Sequence, residues 1–168
     1  MQQQIATTSK RSEKDSKNLR CRYKRAIGSH QKMSALDFLK SELKSHQLEL
    51  IAKTDGREGV DFLIRDYQIY LQPLDLDTVR QSIKIIKEDL GEPNDDLFIT
   101  LVLIIEKQAR VVYLIPSKEL QESDNNFFVN NEVSLIPSLS NWEIKITSKS
   151  IEELEKYALN NMIDKLKV

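Results

Sequence analysis

A lone carboxylate, Asp61, interrupts an apolar segment of the chain, between Val60 and Phe62. An ionised carboxylate is costly to bury unless a cation or hydrogen-bond donors compensate its charge. Carboxylates in such settings are frequent at functional sites, where a shifted pKa or a bound cation makes use of the charge. Asp61 is therefore the first candidate for chemistry, and as an oxygen ligand it could hold Mg²⁺.

The segment after Asp61 brings three polar side chains together. If residues 67–72 form a strand, alternation places Gln68, Tyr70 and Gln72 on one face. Glutamine can donate a hydrogen bond, but it carries no positive charge that would stabilise a developing anion. This face therefore carries no charged group.

Charged residues on the neighbouring predicted helices could supply the missing groups. Glu42 on the first helix could approach Asp61, while Lys84 or Arg80 on the next helix could reach back as a base. The simpler interpretation is that charged residues beside an apolar helix stripe form a solvated flank. The sequence leaves both interpretations open.

Hydrophobic periodicity and turn residues predict alternating helices and strands, the elements that must position these residues. The predicted helices cover 35–46, 77–90 and a final segment capped by Ser148 or Ser150. The predicted strands cover 48–53, 60–64, 67–72, 97–106, 110–115 and 142–147, with a short β segment at 127–129. We therefore expect an α/β protein.

Individual residues set several of these boundaries. Pro73 should end the third strand. Asp77 should cap the second helix, and Gly91 should end it. The strongly β-prone runs on either side of residues 107–109 should form a hairpin in the centre of a sheet.

The charge of the chain is unevenly distributed. The 168 residues have a formal net charge of −1, yet residues 1–32 hold nine Lys and Arg against two acidic residues. The remaining residues carry sixteen basic and twenty-four acidic side chains, a net charge of −8. An acidic domain works against phosphate binding by the folded part as a whole. We therefore divide the chain into a basic head, residues 1–32, and an α/β domain, residues 33–168.

The head is poor in large apolar side chains and is predicted to be disordered. It could bind nucleic acid, it could be a targeting sequence, or it could be upstream sequence with Met33 as the natural start. Met33 precedes residues 34–37, Ser-Ala-Leu-Asp, a plausible capping box that would open the first helix. The candidate nucleic-acid contacts are Lys10, Arg11, Arg20, Arg22, Lys24 and Arg25.

Cysteine usage and hydropathy favour a cytoplasmic protein. The single cysteine, Cys21, excludes an intrachain disulfide and a thiolate metal cluster. No apolar run approaches the roughly 20 residues of a membrane span, and the head lacks the apolar core of a signal peptide. We expect no membrane association and no resident cofactor, apart from Mg²⁺ if the chain is active.

Residues 59–72 resemble the core of the PD-(D/E)XK nuclease superfamily, in which an Asp opens one strand and an acid-x-Lys triplet lies on the next. The predicted order of helix, three strands, helix and strand is similar to the conserved core of that superfamily. The resemblance covers about residues 34–166. A closer likeness, to a bacterial branch of unknown function, rests on residues 98–105, 113–117, 142–146 and 154–157.

The resemblance implies a restriction-endonuclease-like fold of three layers, with a mixed central β-sheet flanked by helices. In active members two acids hold Mg²⁺, and a lysine orients or polarises the attacking water. Asp61 matches the first acid, but Tyr70 takes the place of the second acid and Gln72 that of the lysine. The resemblance therefore implies a nuclease fold with a degenerate catalytic motif.

Three hypotheses follow for the function. The first is a non-catalytic binding or regulatory module in a nucleic-acid or defence context, which binds a protein partner or, through the head, nucleic acid. The second is a metal-dependent DNA endonuclease with a rearranged site centred on Asp61. The third is an unrelated small α/β protein-interaction domain. Metal-dependent DNA cleavage distinguishes the second hypothesis from the first, and the sheet topology distinguishes the third from both.

Overall fold

The structure of the protein is a computed structural model that describes residues 31, 33–53, 62–78, 82–122 and 127–168. Its helices are α1 (33–45), α2 (Lys87–Leu90), α3 (Ser148–Leu154) and α4 (Leu159–Lys167). Its strands are β1 (Ile51–Ala52), β2 (Phe62–Ile64), β3 (Tyr67–Asp75), β4 (Ser82–Ile86), β5 (Leu97–Ile105), β6 (Gln108–Pro116), β7 (Phe128–Asn131) and β8 (Asn141–Lys145). Short 3₁₀ helices cover Ser117–Gln121, Pro137–Leu139 and Glu155–Tyr157.

Five strands form a mixed central sheet in the order β1-β2-β3-β5-β6. Strands β1 to β3 are antiparallel neighbours, β3 and β5 are parallel, and β6 returns antiparallel to β5. A parallel pair needs a crossover connection, and the crossover from β3 to β5 contains β4 and α2. The predicted class, an α/β protein with a mixed central sheet and helices around it, is confirmed.

The strand β5 is covered on both faces. Every residue from Leu97 to Ile104 is at most 4% exposed. Because successive side chains of a strand point to opposite faces, protein must cover both sides of the sheet here. The helices contribute to this core through Ala35, Leu39 and Leu43 of α1 and Leu159, Met162, Ile163 and Leu166 of α4.

Strands β5 and β6 form the predicted hairpin, which turns through Glu106 and Lys107, one residue earlier than expected. These residues have φ values of 52° and 60°, the left-handed conformation that a tight two-residue hairpin requires. Asp77 accepts hydrogen bonds from both of their backbone N–H groups, at 2.8 and 2.7 Å. Asp77 therefore stabilises a turn and does not cap a helix. The central position predicted for the hairpin holds for β5 only, because the described sheet ends at β6.

The predicted helix over residues 77–90 is wrong, because Ser82–Ile86 form the strand β4 and, in the described part, only the one-turn α2 is helical. Ile83 and Ile85 pair with Ile144 and Trp142 of β8. β-Branched side chains favour a strand where a partner strand is available. A short apolar run does not by itself distinguish the helical period from the strand period.

Of two residues expected to stop an element, Gly91 does so and Pro73 does not. Gly91 ends α2 with a φ of 79°, which glycine adopts without strain. Pro73 lies inside β3, opposite Val102 of β5. β2 pairs with β3 only from Tyr67 to Ile69, so at Pro73 the strand has a described partner on one side only. A proline, which lacks the N–H group, is tolerated in such a position.

The predicted helix caps also need correction. The chain is already helical at Met33, so Ser34 lies inside α1. Thr147, rather than Ser148 or Ser150, caps α3. The Thr147 hydroxyl accepts the N–H of Ser150 at 3.2 Å, and the Ser150 hydroxyl accepts the N–H of Thr147 at 2.6 Å. Reciprocal bonding of this kind satisfies two N–H groups at the helix start.

The single final helix that the sequence predicted is broken at Ala158. Ala158 has an extended backbone, with ψ 143°, and forms an antiparallel bridge with Tyr113 of β6. Leu154 and Met162 are buried as predicted, whereas Ile151 is 38% exposed. The Ala158 N–H donates to the Glu155 carbonyl at 3.0 Å and its carbonyl accepts the N–H of Met162 at 3.1 Å, so Ala158 ends one helical segment and begins the next.

A second sheet, in the order β4-β8-β7, is antiparallel throughout. It confirms the predicted late strand and the short β segment before it, with small shifts at their ends. Trp142 and Ile144 of β8 are buried, while Glu143 between them is half-buried. This sheet connects the crossover segment to the C-terminal half of the chain.

Candidate functional site

The strand β3 displays the predicted polar face. Gln68, Tyr70 and Gln72 alternate along the strand and are half-buried, while Ile69 and Leu71 on the opposite face are buried. The alternation predicted from the sequence is therefore confirmed. This face is the described part of the candidate site.

The surroundings of this face are apolar on the side of β5. Tyr70 lies beside Ile99 and Gln72 beside Leu101 in the parallel ladder, and both neighbours are fully buried. The Nε2 group of Gln72 donates a hydrogen bond to the carbonyl oxygen of Pro73 at 3.0 Å. The amide thus bonds the backbone of its own strand and brings no charge to the face.

The acidic candidates are not brought together within the described residues. Glu42 is half-buried on α1, whereas Asp61 and Arg80 lie outside the described residues. The approach of Glu42 to Asp61 therefore stays a prediction. Over the described parts of the chain, no group of three or more His, Cys, Asp or Glu side chains could hold a metal ion.

Lys84 does not stand on a helix, so its predicted route back to the polar face is wrong. It is exposed on β4, directly opposite Glu143 of β8. Hydrogen bonds from Ser82 and Asn131 hold the pKa of Glu143 below its usual value, and the charges of Lys145 and Lys84 act in the same direction. Lys84 therefore belongs to the charge network of the second sheet.

The basic head contributes one described residue. Gln31 is helical, and its Nε2 group donates to a carboxylate oxygen of Asp75 at 2.8 Å. The predicted nucleic-acid contacts lie outside the described residues, so their role stays a prediction. These contacts are Lys10, Arg11, Arg20, Arg22, Lys24 and Arg25.

A cluster of residues around Lys87, beside the second sheet, was missed by sequence reasoning. Lys87, the first residue of α2, donates to a carboxylate oxygen of Glu132 and, at 2.6 Å, to the amide oxygen of Asn130. The same ammonium group lies 4.3 Å from the ring centroid of Trp142, a cation–π geometry. The hydrogen bond from Lys87 lowers the pKa of Glu132. We call these four residues the Lys87 clamp. The lone tryptophan was the only sequence signal, and it did not identify its partners.

The loop between β7 and β8, residues 132–140, exposes three large apolar side chains. Leu135 is 96% exposed, Ile136 50% and Leu139 39%. Sequence reasoning assigned no role to this loop, because no motif pointed to it. We call these three residues the apolar tip.

An open cavity of about 410 Å³ lies where β3 and β5 begin. The rings of Tyr67 and Phe98 meet there edge to face, with centroids 5.4 Å apart, and Lys118 pairs with Asp95 at 2.6 Å. None of the predicted site residues lines this cavity. Its lining consists of Tyr67, Asp95, Phe98, Pro116, Lys118, Lys165 and Val168.

Comparison with known proteins gives no match: no family model, curated protein or solved structure is similar to the chain. None of the helices in the described ranges is both long and apolar enough to cross a membrane. The function is therefore inferred from the residues of this chain and their arrangement.

Proposed function

We propose that the chain is a non-catalytic binding or regulatory module built on a PD-(D/E)XK nuclease-like domain. The observation that carries this proposal is the uncharged polar face of β3, with Tyr70 and Gln72 at the places where the resemblance implies the second acid and the lysine. Neither residue is a carboxylate ligand for Mg²⁺ or a cation for the developing charge on phosphorus. Removal of one such group typically lowers the rate roughly 100- to 1000-fold.

The order of the elements supports the proposal. α1 precedes three antiparallel strands, and β5 then lies parallel to β3. The resemblance implies the order helix, three strands, helix and strand, and the chain agrees with it in the first helix, the three strands and the last strand. The crossover departs from it, because β4 and the one-turn α2 stand where a helix is implied. The departure removes the helix from which a substitute base was expected to reach back.

The proposed setting is the cytoplasm, in a nucleic-acid or defence context. The support comes from the sequence, since the head carries nine basic residues and the remainder of the chain is acidic. Nucleic acid would therefore contact the head rather than the domain. The lone Cys21 suits a reducing compartment.

The test is a cleavage assay with the purified full chain on plasmid, linear and single-stranded DNA, in Mg²⁺, Mn²⁺ or EDTA. We expect cleavage no faster with either metal than with EDTA, because the second acid and the lysine are missing. Asp61→Ala is the matched control. Metal-dependent cleavage that disappears in Asp61→Ala would show that the chain is a nuclease with a rearranged site.

A second arm of the same test measures metal binding. If Asp61 and Glu42 hold a cation, Mn²⁺ should raise the melting temperature of the wild type but not of Asp61→Asn, because the ion would bind the folded state only. We expect no saturable shift in either protein. Binding to nucleic acid is measured on the same preparations, and we expect it to be lost on deletion of residues 1–30 and to weaken steeply with salt.

A further inference from the structure

The apolar tip is an unusual surface for a chain of this composition. Leu135, Ile136 and Leu139 lie within five residues of one another and are 96%, 50% and 39% exposed. Single exposed apolar residues are normal, but adjacent large ones mark interaction sites. Leu135 in particular makes no contribution to the described core.

The loop holds the tip in a defined shape. The Ser140 hydroxyl accepts the N–H of Val133 at 2.9 Å. Within the loop, Ile136 donates to the Val133 carbonyl at 3.2 Å, and Leu139 donates to the Ile136 carbonyl at 2.9 Å. The Ser140 carbonyl accepts the N–H of Lys87 at 3.0 Å, and the Lys87 clamp fixes the start of the loop. A surface ordered in advance loses little conformational entropy when it binds a partner.

The helix beside the apolar tip is acidic. Helix α2 packs beside the 3₁₀ helix Pro137–Leu139 of the loop. α2 carries Glu88 and Asp89, and the loop begins with Glu132. The only basic residue of α2 and the loop is Lys87, which is already engaged in the clamp. Because Lys87 pairs with Glu132 in the clamp, we call only Glu88 and Asp89, which leave α2 and the loop net negative, the acidic rim.

We propose that the apolar tip docks into an apolar cleft of a folded partner protein whose rim carries Lys and Arg residues. The loop protrudes from the second sheet, so its complement in shape is a cleft. The acidic rim repels phosphate groups, and a symmetric contact between two copies of the chain would bring two acidic rims together. A basic protein surface, by contrast, would be attracted. This inference rests on the proposed function, because it identifies the surface and the partner class of the binding module.

The test begins with the photocrosslinking residue p-benzoylphenylalanine in place of Leu135, in the full chain expressed in the source organism. The crosslinked protein is identified and purified, and its affinity for the full chain is measured by calorimetry. Leu135→Asp is the test variant, because a side chain that is 96% exposed can change without disturbing the core. Ser134→Asp is the matched control, since it adds the same charge one residue away and leaves the tip intact.

We expect Leu135→Asp to weaken the affinity by about 10-fold or more, as for a central interface residue. Ser134→Asp should leave the affinity unchanged or raise it. Added salt should lower the affinity of the wild-type chain for the partner. Crosslinks that reach only a second copy of the chain, nucleic acid or lipid, or no crosslink at all, would overturn the inference. So would equal affinities for wild type and Leu135→Asp, or equal losses in both Asp variants. The DNA cleavage assay reports separately on the proposed function, because cleavage would refute it and leave the docking result intact.

Discussion

Thr100 is a buried polar residue whose hydroxyl has no hydrogen-bond partner among the described residues. It lies at the middle of β5 and is fully buried. Its neighbours across the sheet are Leu71 of β3 and Leu114 of β6, which are both buried. A hydroxyl in such a setting has lost its hydrogen bonds to water without replacement, so it should lower the stability of the fold.

The substitution Thr100→Val replaces this hydroxyl with a methyl group of similar size. An unsatisfied buried hydroxyl costs about 1–3 kcal/mol, so we expect the free energy of unfolding to rise by about that amount. For a chain of this length the melting temperature should rise by roughly 2–10 °C. Thr100→Ser is the matched control, because it keeps the hydroxyl and removes a methyl group. The control should lose about 1 kcal/mol.

Urea denaturation monitored by circular dichroism measures the free energy of unfolding of the wild type and both variants. The slope of the free energy against urea should be the same in all three proteins, which would show that only stability has changed. A Thr100→Val variant less stable than the wild type would refute the reasoning. It would show that the hydroxyl has a partner, such as a buried water molecule, and that β5 is not as dry as its side chains indicate.

Two further predictions concern pH. The N–H groups of Glu106 and Lys107 lower the pKa of Asp77, so the stability that Asp77 provides is present above the unfolded-state pKa of about 3.9 and is lost as the pH falls below it. Asp77→Ala should lower the melting temperature by a few degrees at neutral pH and by less in acid. The control Glu106→Gln, at an exposed position, should leave the melting temperature unchanged. Equal losses for Asp77→Ala at both pH values would contradict this prediction. Burial, with the neighbouring Glu119, raises the pKa of Tyr157, so stability should fall as the pH rises above about 10. Tyr157→Phe should make that decline shallower in urea denaturation between about pH 8 and pH 11, and an unchanged slope would count against the assignment.

The strands that could be predicted from the sequence are those whose pattern fits one structure only. Residues 97–105 are apolar except for Thr100, which suits a strand buried on both faces, and the hairpin with β6 follows from the β-prone run after it. The polar face of β3 was predictable because strand alternation depends on spacing alone. The absence of charge on this face then follows from the identities of Tyr70 and Gln72.

The elements that could not be predicted depend on contacts between distant parts of the chain. Ile83 and Ile86 have the spacing of a helical stripe, whereas Ile83 and Ile85 alternate as in a strand, and β8, the strand that decides between the two, comes much later in the sequence. Asp77 has the residue type and position of a helix cap, but its partners are on the turn after β5. In both cases the local sequence pattern suited the predicted helix, but a hydrogen bond or a strand pairing with a distant part of the chain outweighed it.

The departure from the nuclease-like core and the proposed docking surface arise from the same segment. Where the resemblance implies a helix, the chain forms β4 and α2, and β4 pairs with β8. This pairing places Lys87 beside Trp142 and Glu132, and the backbone of Lys87 bonds Ser140 at the end of the apolar loop. A helix in the same segment could not supply this strand pairing, so the clamp and the fixed shape of the loop would both be lost. The feature that removes the expected route for a substitute base therefore also holds the loop that carries the proposed docking surface.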